Sequence, residues 1–176
     1  MKKLLLSFAL VAGLGLAANA QTEGAVRKLS IGAEFGFPTG EGSEDNMIVG
    51  GSLQYEHPVA KSFNITGSAG YLSNMLTGDT KDAVKAFGGK TSYGFIPVKA
   101  GGKYYFGGNF YGAAELGAAI ATEEGMGTAF AYAPSLGASF SLADKSSLDF
   151  GVRYETWSKD GSSSFVGLRL AYAFGL

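Results

Sequence analysis

The chain has 176 residues, of which 28 are Gly and none is Cys, with 16% charged and 13% aromatic side chains. A soluble domain carries about 25% charge and about 7% Gly, while 46% hydrophobic residues at a formal net charge of −1 exclude a disordered chain. The lack of Cys excludes disulfide frameworks, thiolate zinc sites and thiol catalysis, and nothing in the charge pattern suggests a nucleic-acid partner, which needs a basic patch.

The first element in chain order is an export signal. Lys2 and Lys3 precede an apolar run from Leu4 to Ala18 that ends in Ala18-Asn19-Ala20, the pattern of a secretory signal peptide with a small-residue cleavage site. The run is shorter than the ~20 residues of a spanning helix. Residues 1–20 are therefore read as a cleaved signal and 21–176 as one domain. Losing Lys2 and Lys3 leaves 12 basic against 15 acidic residues, a net charge of −3.

After Gln21 no apolar run of helix-spanning length recurs, and the recurring pattern is alternation. Leu29, Ile31, Ala33, Phe35 and Phe37 alternate with Ser30, Gly32, Glu34 and Gly36, as in a strand with one apolar face. The same period runs through Met47–Tyr55, Phe63–Tyr71, Ile96–Phe106, Phe110–Ile120, Phe130–Leu142, Leu148–Thr156 and Val166–Leu176, which makes eight strands. The connectors after the second, fourth and sixth strands are tight: His57 to Lys61, Gly107 to Asn109, and Ala143 to Ser146. The others are generally longer, namely Pro38 to Asn46, Ser73 to Lys90, Thr122 to Gly127 and Ser158 to Ser163, with a helical turn conceivable at Lys81 to Phe87. An even strand count with short turns at one end and longer loops at the other predicts an all-β fold. Its form is an eight-stranded antiparallel up-and-down transmembrane β-barrel with periplasmic turns and external loops.

A soluble ligand-binding barrel has the same period with its apolar face turned inward, so charge and side-chain size must decide the orientation. The face opposite the apolar one carries Glu34, Lys99, Lys103, Glu115, Asp149, Arg153, Glu155 and Arg169 among many Gly and Ser. Four acids and four bases amid small residues suit a narrow lumen. Facing lipid, each of the four cations would cost up to ~2–4 kcal/mol at mid-depth, together comparable with a whole domain's stability of ~5–15 kcal/mol. These eight are expected to form an inward ion-pair network. The aromatic residues then fall at two levels, as in membrane-interface girdles: Tyr55, Phe63, Tyr104, Phe106, Phe110, Phe140, Tyr172 and Phe174 at the turn end, and Phe35, Phe37, Tyr71, Phe130, Tyr132 and Tyr154 at the loop end. Pro97 and Pro134 lie inside strands, where a bulge or local bend is expected.

The candidate chemistry is thin. An eight-stranded bore is just wide enough for its own side chains to fill, and equal numbers of both signs favour mutual pairing over an ion pathway; a small pore for ions or solutes is the alternative. His57, the sole histidine, precedes Pro58 in what reads as a short periplasmic turn, so no catalytic residue is assigned and a lipid hydrolase is disfavoured. Asp149 and Glu155 lack a cleft for glycoside chemistry. Glu41, Glu44 and Asp45 would need more converging oxygens to hold Ca²⁺, and Gly88-Gly89-Lys90 lacks the strand-loop-helix context of a phosphate loop. No metal and no cofactor is expected.

The segments FIPVKAGGKYYF, NFYGAAELGAAI and the closing SFVGLRLAYAFGL resemble the small outer-membrane β-barrels of Gram-negative bacteria, the OmpA-like and OmpX-like eight-stranded group. The resemblance spans residues 21–176 and rests on period and aromatic placement. It implies a porin-like membrane protein of the cell envelope, in the bacterial outer membrane and in contact with its lipid. Its biogenesis would use the barrel-assembly machinery, and an extracellular partner would be met through loops 38–46 and 73–90. The final strand departs from the usual pattern of a terminal aromatic: Leu176 is last, with Phe174 and Tyr172 on the same face. No peptidoglycan-binding domain is read after the barrel, and a non-enzymatic structural or surface-interaction role is expected. A soluble periplasmic barrel is the remaining alternative.

Overall fold

A computed structural model describes residues 26–40 and 42–176. The export signal read at 1–20 and Glu41 of the first loop lie outside the described residues. Eight strands run in chain order: β1 (Lys28–Thr39), β2 (Asn46–Ala60), β3 (Phe63–Leu76), β4 (Ser92–Gly107), β5 (Phe110–Ala121), β6 (Thr128–Ala143), β7 (Ser146–Ser158) and β8 (Ser162–Gly175). One helix, α1 (Gly78–Ala86), interrupts the connection from β3 to β4. Each strand pairs antiparallel with its sequence neighbour, and β1 closes the barrel on β8 from Lys28↔Gly175 to Thr39↔Ser164. Closure removes every free edge, which is what a sheet in lipid requires.

The faces follow the alternation. Leu53, Phe130 and Leu136 are more than half exposed on the outside of the wall, while Lys103 and Glu155 inside are 1% and 0% exposed. That inversion of the soluble pattern fits an exterior solvated by acyl chains. Strands of 12 to 16 residues exceed the ~9–11 needed to cross when tilted. The residues of both expected aromatic girdles stand on the outer face, most of them widely exposed.

Several expected boundaries move. The tight connectors shrink to two residues, Lys61–Ser62, Gly108–Asn109 and Asp144–Lys145, and ladder irregularities fall next to each. Gly108 takes φ 52°, a left-handed conformation that glycine adopts without a Cβ penalty. His57 is not in a turn: it lies within β2 opposite Ile65. The loops read at 38–46 and 73–90 are also shorter than expected, spanning 40–45 and 77–91, because Pro38, Thr39 and Asn46 pair in β1 and β2 and Ser73 to Leu76 pair in β3. Polar residues there satisfy their backbone groups in the ladder instead of in water.

No bulge occurs at Pro97 or Pro134. The β4–β5 ladder runs through Pro97↔Ala119, whereas the β3–β4 ladder lacks the pairs between Ala69↔Val98 and Leu72↔Phe95 without a change of register. Pro134 behaves alike: it pairs with Ala114 on β5, while the β6–β7 ladder opens between Tyr132↔Thr156 and Ser135↔Arg153. A strand residue donates its N–H to one neighbour only, so a proline opens one ladder and leaves the other whole.

Candidate functional site

The bore divides into three layers along its axis. The layer nearest the turn end centres on Lys103 of β4. Its Nζ donates to Glu56 Oε1 at 2.8 Å and Asp149 Oδ2 at 2.7 Å and lies 3.7 Å above the Tyr111 ring. The remaining carboxylate oxygens are also served: Tyr111 Oη donates to Asp149 Oδ1 at 2.6 Å, and Tyr105 Oη and Asn64 Nδ2 donate to Glu56 Oε2 at 3.1 and 3.0 Å. Lys28 completes the layer, its Nζ 5.7 Å from the Tyr105 ring. Buried charge persists only when paired and hydrogen-bonded, and every charge on Lys103, Glu56 and Asp149 meets that condition.

The middle layer is built on Glu34 and Glu155. Arg153 ion-pairs with Glu34 and donates from Nε to Glu155 Oε2 at 2.6 Å, the same oxygen that Lys99 Nζ reaches at 2.6 Å. Arg169 lies 3.3 Å from Glu34 Oε1 and donates to the hydroxyls of Ser52 and Ser30 at 3.0 Å each. The small residues of this face make room for the guanidinium planes: a Cβ at Gly32 would stand 3.0 Å from Arg169 Nε, and one at Gly167 3.1 Å from Arg153 Nε. A void of about 50 Å³ remains among Glu34, Lys99, Glu115, Arg153 and Arg169, room for a few waters.

The loop-end layer is largely apolar, with the amide of Asn74, cross-strand from Ile48, as a polar group in it. Ile48, Leu72, Trp157 and Phe165 are buried together with Phe95 packed against them. The Trp157 ring lies 4.7 Å from Phe95 and 5.4 Å, edge-on, from Phe165. Its indole Nε1 donates to Glu155 Oε1 at 2.8 Å, so this layer rests directly on the ionic one.

All eight residues expected inside are inside, but they do not form one network. Among the described residues Glu115 has no ion pair; it accepts from Gln54 Nε2 at 3.2 Å and Thr66 Oγ1 at 3.1 Å. Lys99 and Lys103, its diagonal neighbours across β4–β5, are already held by Glu155 and by Glu56 with Asp149. The sequence reading missed Glu56 and Lys28, which bring the inward ions to five of each sign, and the inward aromatics Tyr105, Tyr111, Trp157 and Phe165. Parity was the available signal, since each continues the alternate positions of its strand's charged face.

The remaining candidates stay apart from this core. His57 stands at the turn end with Nδ1 3.4 Å from Tyr55 Oη, in a shallow recess with Arg27, Pro58 and Leu176. Among the described residues no group of three or more His, Asp or Glu is placed to hold a metal. Asp45, weighed above as a calcium ligand, instead accepts from Thr80 Oγ1, and its carbonyl accepts from the Thr77 N–H at 2.7 Å. A carboxylate beside the first turn of α1 favours the helix through its dipole. Asp45→Ala removes the side-chain tie to Thr80 and keeps the backbone one to Thr77; it is expected to loosen α1, speeding amide exchange over 78–86 roughly fivefold, the equivalent of about 1 kcal/mol. Unchanged exchange, read by mass spectrometry, would show that α1 needs no side-chain tether.

No protein-family model matches the chain, and no curated protein matches it in sequence. Solved structures do match in fold. The attachment invasion locus protein Ail of Yersinia pestis, in complex with the heparin analogue sucrose octasulfate, is 17% identical with a TM-score of 0.54, over 84% of this chain and 97% of that one. Ail in a phospholipid bilayer nanodisc matches at 17% identity and a TM-score of 0.53, over 84% of this chain and 99% of that one. The outer membrane protein AlkL in lipid bilayers matches at 12% identity and a TM-score of 0.58, over 91% of this chain and 94% of that one. With ions inside, an apolar wall outside and closure of β1 on β8, the chain folds as a small eight-stranded β-barrel of the outer-membrane type.

Proposed function

We propose that this protein, exported by a signal peptide at residues 1–20, is a non-enzymatic integral barrel of the bacterial outer membrane. Its lumen is closed and its external loops do its work. One observation carries this reading: five inward acids face five inward bases in a bore whose central ions are paired and whose loop end is filled by aromatic side chains. A conducting path would need continuous polar space, and the central void holds about 50 Å³. The network's role is structural, filling the bore and fixing the strands to one another.

The loops form a linked rim. Asp45 joins the first loop to α1, a Lys90–Glu123 ion pair joins the second loop to the third, and Lys159 Nζ donates to the Met126 carbonyl, joining the fourth to the third. Such ties pre-organise a surface and lower the ordering cost of binding. α1 buries none of its residues, and Phe87 just beyond it is 92% exposed. Across the four loops, Glu41, Glu44, Asp45, Asp79, Asp82, Glu123, Glu124 and Asp160 oppose Lys81, Lys85, Lys90 and Lys159, a net charge of −4. A sulfated polyanion such as the ligand in the Ail complex is therefore disfavoured as a partner, and a neutral or basic surface suits the rim.

Planar-bilayer recording on refolded protein tests the closed lumen. No steady conductance is expected, and large regular steps would overturn it. Exchanging residues 78–89 for a short Gly-Ser linker should leave barrel stability intact while abolishing loop-dependent surface binding in a whole-cell screen. Binding that survives the exchange would move the recognition surface elsewhere.

A further inference from the structure

The polar and apolar layers of the bore resist ions in different ways. In the two ionic layers an entering ion meets carboxylates, ammonium groups, guanidinium groups and hydroxyls that can exchange partners with it. In the loop-end layer it meets the Asn74 amide, cross-strand from Ile48, and otherwise Ile48, Leu72, Phe95, Trp157 and Phe165, which offer no ligand apart from the indole N–H. That donor already points down at Glu155 Oε1, 2.8 Å away. A constriction lined by such side chains excludes ions by refusing to wet, and leaving a charge without partners there costs far more than an exchange between ion pairs.

We infer that the aromatic layer at the loop end, not the ion pairs beneath it, is the barrier that keeps the lumen shut, with Trp157 latched to the ionic layer through Glu155. The inference rests on the closed-lumen reading above and names the part of the bore that closes it. Two contacts couple lid and network: Trp157 donates to Glu155, and the Arg153 guanidinium lies 5.6 Å over the Phe165 ring. Arg153 and Lys99 converge on the other oxygen of Glu155. The lid is thus held from below by the same carboxylate that organises the middle layer.

The test compares bilayer conductance of the wild type with three variants, each shown to be folded by heat-modifiable gel mobility. Phe165→Ala with Leu72→Ala removes lid volume, Phe165→Gln keeps the volume but wets the lid, and Lys99→Met weakens the ionic layer while Glu155 keeps Arg153 and Trp157. Steady conductance is expected from both lid variants, with silence from Lys99→Met and the wild type. Folded lid variants that stay silent, or conduction by Lys99→Met alone, would overturn the inference while leaving the closed lumen in place. Conduction by the wild type would overturn both. Trp157 is the only tryptophan in the chain, so its fluorescence gives a second reading. Acrylamide should quench it weakly in the wild type and in Lys99→Met and strongly in the lid variants. Strong quenching in the wild type would show a wet lid and overturn the inference.

Discussion

Replacing Lys103 with Met is expected to destabilise the barrel by about 3–5 kcal/mol, the cost of leaving buried opposite charges without their partner. The ammonium serves two carboxylates at once, Glu56 at 2.8 Å and Asp149 at 2.7 Å; among the described residues Asp149 has no other ion pair, and Glu56 keeps only Lys28, its cross-strand neighbour, without an ion-pair contact. Asn64 and Tyr105 still donate to Glu56 and Tyr111 to Asp149, but neutral donors do not cancel charge. Against this stands the extra apolar burial of the Met side chain, about 0.8 kcal/mol per methylene, which is the smaller effect. Urea unfolding in lipid vesicles, followed by Trp157 fluorescence, measures the difference. Adding Asp149→Asn should recover part of the loss, with a coupling of roughly 0.5–3 kcal/mol between the two sites. Glu115→Gln is the control: its partners are Gln54 and Thr66, an amide oxygen still accepts from both, and the change should stay under about 1 kcal/mol. A Lys103→Met cost as small as the control's would mean that water reaches the layer and that the bore is not filled.

The strands and their faces were legible because a side-chain period of two leaves no freedom once one face must meet lipid. Leu29, Ile31, Ala33, Phe35 and Phe37 point out and Glu34 points in for the same reason, and the eight expected inward charges are all inside. Where turn chemistry competed with period, the reading failed. His57-Pro58 looked like a turn, which ended β2 too early and hid Glu56, the carboxylate that Lys103 needs. At the prolines a missing N–H suggested a bulge or a local bend, yet no bulge forms, because each strand opens one ladder and keeps the other. The partition of the bore into ionic and aromatic layers was illegible for another reason. Parity places Trp157, Phe165, Tyr105 and Tyr111 inside, but only the stagger of strands around the barrel decides that the first two meet at the loop end while the others join Lys103. The pairing within the network has the same origin, since Lys99 reaches Glu155 across the bore and not Glu115 on the adjacent strand.

Gly101→Ala is expected to cost about 3 kcal/mol or more, the upper part of the range for overpacking, although it adds a single methyl group. The new Cβ would lie 1.9 Å from the Ala114 carbonyl oxygen and 2.7 Å from the Glu115 Cα. Gly117 on the facing strand has the reciprocal relation, 2.0 Å from the Val98 oxygen. The β4–β5 hairpin therefore bends so sharply toward the lumen that its inner face has no room for side chains at these two positions. A clash with a flexible side chain relaxes by rotation, whereas one with a neighbouring backbone relaxes only by straightening the strand. Straightening is costly here because Lys99 and Lys103 flank Gly101 on the same face and would be drawn away from Glu155 and Glu56. Gly67→Ala, on the outer face with nothing within 4 Å, should stay within about 0.5 kcal/mol of the wild type. Unfolding midpoints of the two variants separate the effects, and a Gly101→Ala barrel as stable as Gly67→Ala would show that the wall does not need this curvature. Because the bend and the ion pairs hold each other, combining Gly101→Ala with Lys103→Met should cost less than the sum of the two single changes. Full additivity would mean that the curvature of the hairpin is set independently of the ions it encloses.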